Sequence, residues 1–229
     1  MIVSRKCWLA VSAAALACCV SLTSFAAGTA DAPVDGPKGD PAAGEAQAVV
    51  CAACHGNDGN SPAPNFPKIA GLGEKYLFKQ LKDVRDGNRV IVEMTGLLDA
   101  KDDQALWDLA AFYNSQNLQI SGAKPQEVLI NSGIKVDGLK LGERIYRAGN
   151  LETSVPSCMG CHSPKGLGNE PAGYPRLGGQ YAEYIAKQLR HFRAGERTND
   201  GDSMVMRQVA EQMSDAEIDA VSNYISGLQ

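Results

Sequence analysis

Histidine is scarce in this sequence: His55, His162 and His191 are the only three in 229 residues. Three are too few to supply two ligands to each of two metal centres. Aromatic residues make up only 6% of the chain, so any small unit within it has little bulk for a core. Basic blocks are missing, and the formal charge is −4, which gives no footprint for nucleic acid. No stretch alternates apolar and polar residues over several strands, which argues against a sandwich or barrel.

Free cysteine is missing too. Of seven cysteines, Cys7, Cys18 and Cys19 fall in the N-terminal apolar segment. The other four fall in two copies of one pentapeptide, Cys51-Ala52-Ala53-Cys54-His55 and Cys158-Met159-Gly160-Cys161-His162. C-x-x-C-H is the spacing of covalent haem attachment. In a helical turn, residues three and four apart share a face. Two thiols can then reach the porphyrin edge while the imidazole reaches the iron. Cys51, Cys54, Cys158 and Cys161 are therefore the candidate attachment residues for two haem c groups, and His55 and His162 the candidate proximal ligands. Two disulfides are the first alternative, and pairing of every thiol with a following histidine speaks against it. Zinc shared by both motifs is the second, and each motif offers only three ligands on one face.

Residues 1–26 read as a signal peptide. Arg5 and Lys6 precede an apolar run from Trp8 to Val20, and Ser24-Phe25-Ala26 fits a cleavage site. The run is short for a membrane span. An uncleaved anchor and lipoprotein processing at Cys18 are the alternatives. Removal of the leader takes the formal charge from −4 to −6, with loss of Arg5 and Lys6. Export places the protein in the periplasm.

The remaining chain reads as one helical unit repeated. Residues 27–39 form a flexible lead-in, 40–121 the first domain, 122–137 a linker and 138–229 the second domain. Asp40 caps a helix with Pro41 at its first position. Helices are predicted over 74–86, 102–115, 139–147 and 184–193. Ser214 and Glu217 form a capping-box pattern ahead of the last one. Tyr76-Leu77-Phe78-Lys79-Gln80-Leu81 corresponds to Tyr184-Ile185-Ala186-Lys187-Gln188-Leu189, and Pro67 to Pro175. Arg85, Gly87 and Arg89 correspond to Arg193, Gly195 and Arg197. Gly149 and Pro156 mark an extra loop before the second pentapeptide. The fold class is all-α: two tandem cytochrome c-like helical domains, each enclosing one haem that fills a small core.

The sixth ligands follow from what remains. His191 lies on a helix and reads as solvated surface, so methionine is the alternative. Met94 is the only methionine of the first copy. In the second, Met159 lies inside its own motif and Met213 precedes a helix cap, which leaves Met204 and Met206.

These residues resemble the dihaem cytochrome c4 family over nearly all of the mature chain. The likeness rests on the first pentapeptide with Gly56, on Asp58-Gly59-Asn60-Ser61, Pro64-Asn65-Phe66-Pro67-Lys68, Glu93-Met94-Thr95-Gly96 and Arg197-Thr198-Asn199-Asp200-Gly201-Asp202. The resemblance implies Met94 and Met206 as distal ligands. The internal register agrees, since it carries Met94 onto Met206, Leu106 onto Ile218 and Phe112 onto Tyr224. The resemblance also implies a proline carbonyl that orients each proximal histidine. Pro64 fits that role, and its counterpart Ala172 does not. It implies haems facing each other across the domain interface. The implied activity is electron transfer, not enzyme catalysis, from a quinol-cytochrome c reductase-type donor towards a terminal oxidase-type acceptor or a reductase. A monomer with loose membrane association is expected. A cytochrome subunit that serves a periplasmic dehydrogenase is the alternative.

Overall fold

The computed structural model describes residues 38–229; the signal peptide and most of the lead-in read from the sequence lie outside the described residues. In chain order the elements are α1 (Pro41–Gln47), α2 (Ala52–His55), α3 (Glu74–Arg85), α4 (Asp103–Asn114), a β1–β2 hairpin (Glu127–Leu129 and Lys135–Asp137), α5 (Gly138–Ala148), α6 (Met159–His162), α7 (Ala182–Ala194), α8 (Val205–Glu211) and α9 (Asp215–Ser226). The caps predicted at Asp40 and Ser214 form, and Asp102 supplies a third. Asp40 accepts from the Ala42 N–H at 2.9 Å and Asp102 from Ala105 at 2.8 Å. Ser214 and Glu217 close a capping box. Each cap satisfies donors that the first helical turn leaves open. No described helix is long and apolar enough to cross a membrane.

Two apolar cores are separate in sequence. One runs from Ala48 to Leu118 and the other from Val128 to Leu228. Each is built around the same crossing of a first and a last helix, α1 on α4 and α5 on α9. Glycine makes both crossings close. A Cβ on Gly44 would lie 2.0 Å from the Asp108 carbonyl oxygen, and one on Gly142 would lie 2.2 Å from that of Ala220. Gly142→Ala is therefore expected to cost about 1–3 kcal/mol through overpacking, read as a lower denaturation midpoint. An unchanged midpoint would show that the crossing yields freely.

The segment read as a linker, 122–137, lies against the second half. Lys124 and Asn223 exchange two hydrogen bonds, at 2.9 and 2.7 Å, and the Gly122 N–H donates to Ser226 O at 2.9 Å. The segment is thus tied to α9, and its two three-residue strands then pair antiparallel. Only Val128 on β1 is buried, too little for a period-2 signal. The extra loop is closed by a bridge between Asn150 and Val155. Across the halves, Gln180 accepts from the Lys68 N–H at 3.0 Å and donates to Lys68 O at 2.7 Å. Tyr181 Oη donates to Ser61 O at 2.6 Å.

Candidate functional site: two Cys-x-x-Cys-His turns

Both pentapeptides form one helical turn, α2 and α6, with the first cysteine at the N-cap. The His55 N–H donates to Cys51 O and the His162 N–H to Cys158 O, each at 3.0 Å. This backbone bond sets each histidine four residues from the first cysteine on one face. Among the described residues, no disulfide joins the four cysteines. Gly56 leaves α2 at φ 78°, where glycine costs least, while Ser163 takes the matching place after α6 at φ 68°.

The imidazoles are oriented by main chain. His55 Nδ1 lies 2.9 Å from Pro67 O, and His162 Nδ1 lies 3.0 Å from Pro175 O. A carbonyl only accepts, so Nδ1 carries the proton and Nε2 keeps its lone pair. This corrects the reading that gave the role to Pro64 and denied it to the second copy. Pro67 and Pro175 hold the role in both halves. Burial lowers the pKa of both imidazoles, and the carbonyl contact only partly opposes it. A neutral ring is the form that ligates a metal. Burial also pushes the Cys51 thiol up, and the Cys158 thiol up to about 11.

In the first half a cavity of about 450 Å³ is lined by Cys51, Cys54, His55, Met94 and apolar side chains that include Leu109. Met94 ends a short 3-10 turn, Val92–Met94. The Tyr113 hydroxyl lies in the same cavity beside the Cys51 thiol. A large flat apolar group with two thiol-reactive positions and one metal ion fits this donor set. His55 Nε2 and a thioether would be its axial donors.

In the second half His162 is buried, and Cys158 and Met206 both pack against the apolar core. Met206 lies on α8, a helix that sequence periodicity did not show. Met204 is 40% exposed and sits at φ 46° just ahead of that helix. Met213 is buried to 3% exposure, in keeping with a packing role. His191 is less solvated than expected. It is about one-third exposed, lies 3.5 Å from Glu196, and lines the first cavity from the second half.

A cytochrome c family model matches residues 41–117 and 139–229. Cytochrome c4 of Azotobacter vinelandii is 52% identical over 199 residues, 83% of this chain and 90% of that protein. The chain belongs to the cytochrome c4 family. The reduced cytochrome c4 structure from Pseudomonas stutzeri superposes with a TM-score of 0.77 at 49% identity, covering 83% of this chain and 100% of that one. A thiosulfate dehydrogenase electron acceptor from Stutzerimonas stutzeri is 34% identical over 182 residues, 79% of this chain and 80% of that protein. This cytochrome is thus a dihaem electron-transfer protein with two haem c groups per chain. It is a carrier and not an enzyme, and its partners are redox partners. The expected all-α fold holds, with a small hairpin added among the described residues.

Proposed function

We propose that this cytochrome carries electrons in the periplasm, from a quinol-oxidising respiratory complex towards a terminal oxidase or reductase. The observation that carries the proposal is the doubled turn: each half presents two thiols and a histidine whose Nδ1–H is held by a proline carbonyl. In this reading Cys51 and Cys54 anchor the first haem through thioethers, and Cys158 and Cys161 the second. His55 with Met94, and His162 with Met206, would supply the protein ligands to the two irons. The first domain spans 40–121 and the second 138–229, joined by 122–137.

Each bound haem supplies an iron that alternates between Fe(II) and Fe(III). The chain's own residues do the rest. The proline carbonyls fix the imidazole planes and tautomers. The methionine thioethers, soft donors, favour the reduced iron. The apolar walls exclude water, so the charge change at iron costs little reorganisation. The protein acts as a monomer that loosely associates with the membrane, with no nucleic-acid partner.

A second reading is favoured by the 34% identity to a thiosulfate dehydrogenase electron acceptor. There the same domains take electrons from a periplasmic dehydrogenase. Stopped-flow mixing separates the two. The first reading expects reduction by a quinol-cytochrome c reductase and oxidation by a terminal oxidase, both within milliseconds to seconds. Reduction only by a co-purifying dehydrogenase would favour the second.

Met204 and Met206 are separated by substitution. Met206→Ala is expected to abolish the Met–Fe(III) charge-transfer band of the second haem and open that iron to cyanide. Met204→Ala should keep both bands, because its side chain is exposed while Met206 packs on the core. The reverse pattern would reassign the ligand.

A further inference from the structure

The peptide bond that orients each proximal histidine is itself held by the opposite half. The Pro67–Lys68 peptide accepts from His55 Nδ1 through its carbonyl, and its N–H, on Lys68, donates to Gln180 Oε1 at 3.0 Å. The Pro175–Arg176 peptide accepts from His162 Nδ1, and its N–H, on Arg176, donates to Leu72 O at 3.2 Å. Leu72 and Gln180 occupy the same place in the internal repeat, as do Lys68 and Arg176. The next two amides remain within their own half in both copies. Those of Ile69 and Ala70 donate to Gly59 O at 2.7 and 3.2 Å, and those of Leu177 and Gly178 to Gly166 O at 2.8 and 3.0 Å. In each run of three, the amide of the histidine-holding peptide is the one that crosses.

The two crossings differ in kind. Gln180 clamps Lys68 at two points, since its Nε2 also donates to Lys68 O at 2.7 Å. Its Oε1 accepts a second bond from the Tyr181 N–H at 3.0 Å, so both lone pairs of the amide oxygen are used. Lys68 and Gln180 are buried, which keeps water from competing. Lys68 Nζ lies 4.7 Å from the centroid of the Tyr181 ring and fixes the neighbouring contact. The second crossing joins main chain to main chain, so no side chain carries it. A hydrogen bond at one end of a peptide polarises it and strengthens the bond at the other end, on the order of 10–30% in a low dielectric. A stronger acceptor for Nδ1–H raises the basicity of the ligating imidazole.

We propose that Gln180, a residue of the second half, sets the donor strength of His55 and with it the potential of the first haem, by polarising the Pro67–Lys68 peptide. The inference rests on haem attachment at Cys51 and Cys54 with His55 as an iron ligand. Gln180 is a positioning residue, because it acts through Lys68, Pro67 and His55 in turn. A more basic imidazole favours Fe(III), so the bond from Lys68 to Gln180 lowers the potential. Parting of the halves would release the bond and make the first haem easier to reduce.

The test uses the full holoprotein of Gln180→Leu and Gln180→Glu. Two readouts are taken: a redox titration resolved for each haem, and the NMR resonance of the His55 Nδ1–H in the reduced protein. Gln180→Leu removes the acceptor. At a fixed applied potential the Fe(II)/Fe(III) ratio of the first haem is expected to rise about 2–10-fold, and the His55 resonance to move upfield. Gln180→Glu keeps an acceptor for the Lys68 N–H and strengthens it, so ratio and resonance should both move the other way. The second haem should match wild type in both variants, because its crossing uses Leu72 O. Haem content is measured by mass in every variant. A wild-type chain without haem at Cys51 and Cys54 would sink the functional reading itself. Both haems retained with an unmoved ratio at the first would overturn the role of Gln180 alone. A ratio that moves while the His55 resonance stays fixed would also overturn it, since Gln180 would then act through packing or charge. Equal shifts at both haems would do the same, with loosened docking as the cause. Should Gln180→Leu fail to fold, Gln180→Glu carries the test through its opposite sign.

Discussion

Replacing Met94 by histidine is expected to lower the midpoint potential of the first haem on the order of 0.1 V, within the roughly 0.8 V that axial ligation spans. Met94 lines the same cavity as His55. A thioether favours Fe(II), and an imidazole in its place favours Fe(III) more. The second haem should change little, because the two apolar cores share no residue. A redox titration followed by the spectrum of each haem checks both parts. Two unmoved potentials would remove Met94 from the ligand set.

The second large effect is on folding. Without haem, the first crevice of about 450 Å³ would stay unfilled. At ~24 cal/mol per Å³ of cavity, that is on the order of 10 kcal/mol before partial collapse. A domain of this size has a total stability of about 5–15 kcal/mol. Protein made without haem attachment is therefore expected to lose cooperative unfolding, with a flat thermal scan by near-UV circular dichroism. A sharp transition in haem-free protein would show that the polypeptide core suffices.

Much of the architecture was legible because short-range signals carried it. Asp40, Asp102 and Ser214 begin helices through their own side chains, and each sits where its cap chemistry says. The repeat made Pro67 and Pro175 visible as a pair. Their role as acceptors for His55 and His162 exists only in three dimensions, since the sequence gives Pro64 and Pro67, three residues apart, an equal claim to it. Helix α8 is seven residues long and opens on a left-handed Met204, so no periodic stripe announces it. The β-hairpin escaped for the same reason: a three-residue strand with one buried side chain has no period to read. His191 matches Asp83 in the repeat, and only the docking of the two halves shows that it lines the first cavity. The crossing peptides belong to that class too. Sequence reveals Lys68 and Arg176 as equivalents, while the bonds of their N–H groups to the opposite half show only once the halves dock.

The most direct measurement is peptide-level mass spectrometry of the mature protein after denaturation and acid–acetone extraction. The expected result is one haem retained on the peptide holding Cys51 and Cys54 and one on the peptide holding Cys158 and Cys161. Either peptide without a haem, or with its two cysteines joined as a disulfide, would contradict the assignment of these turns as the two haem sites.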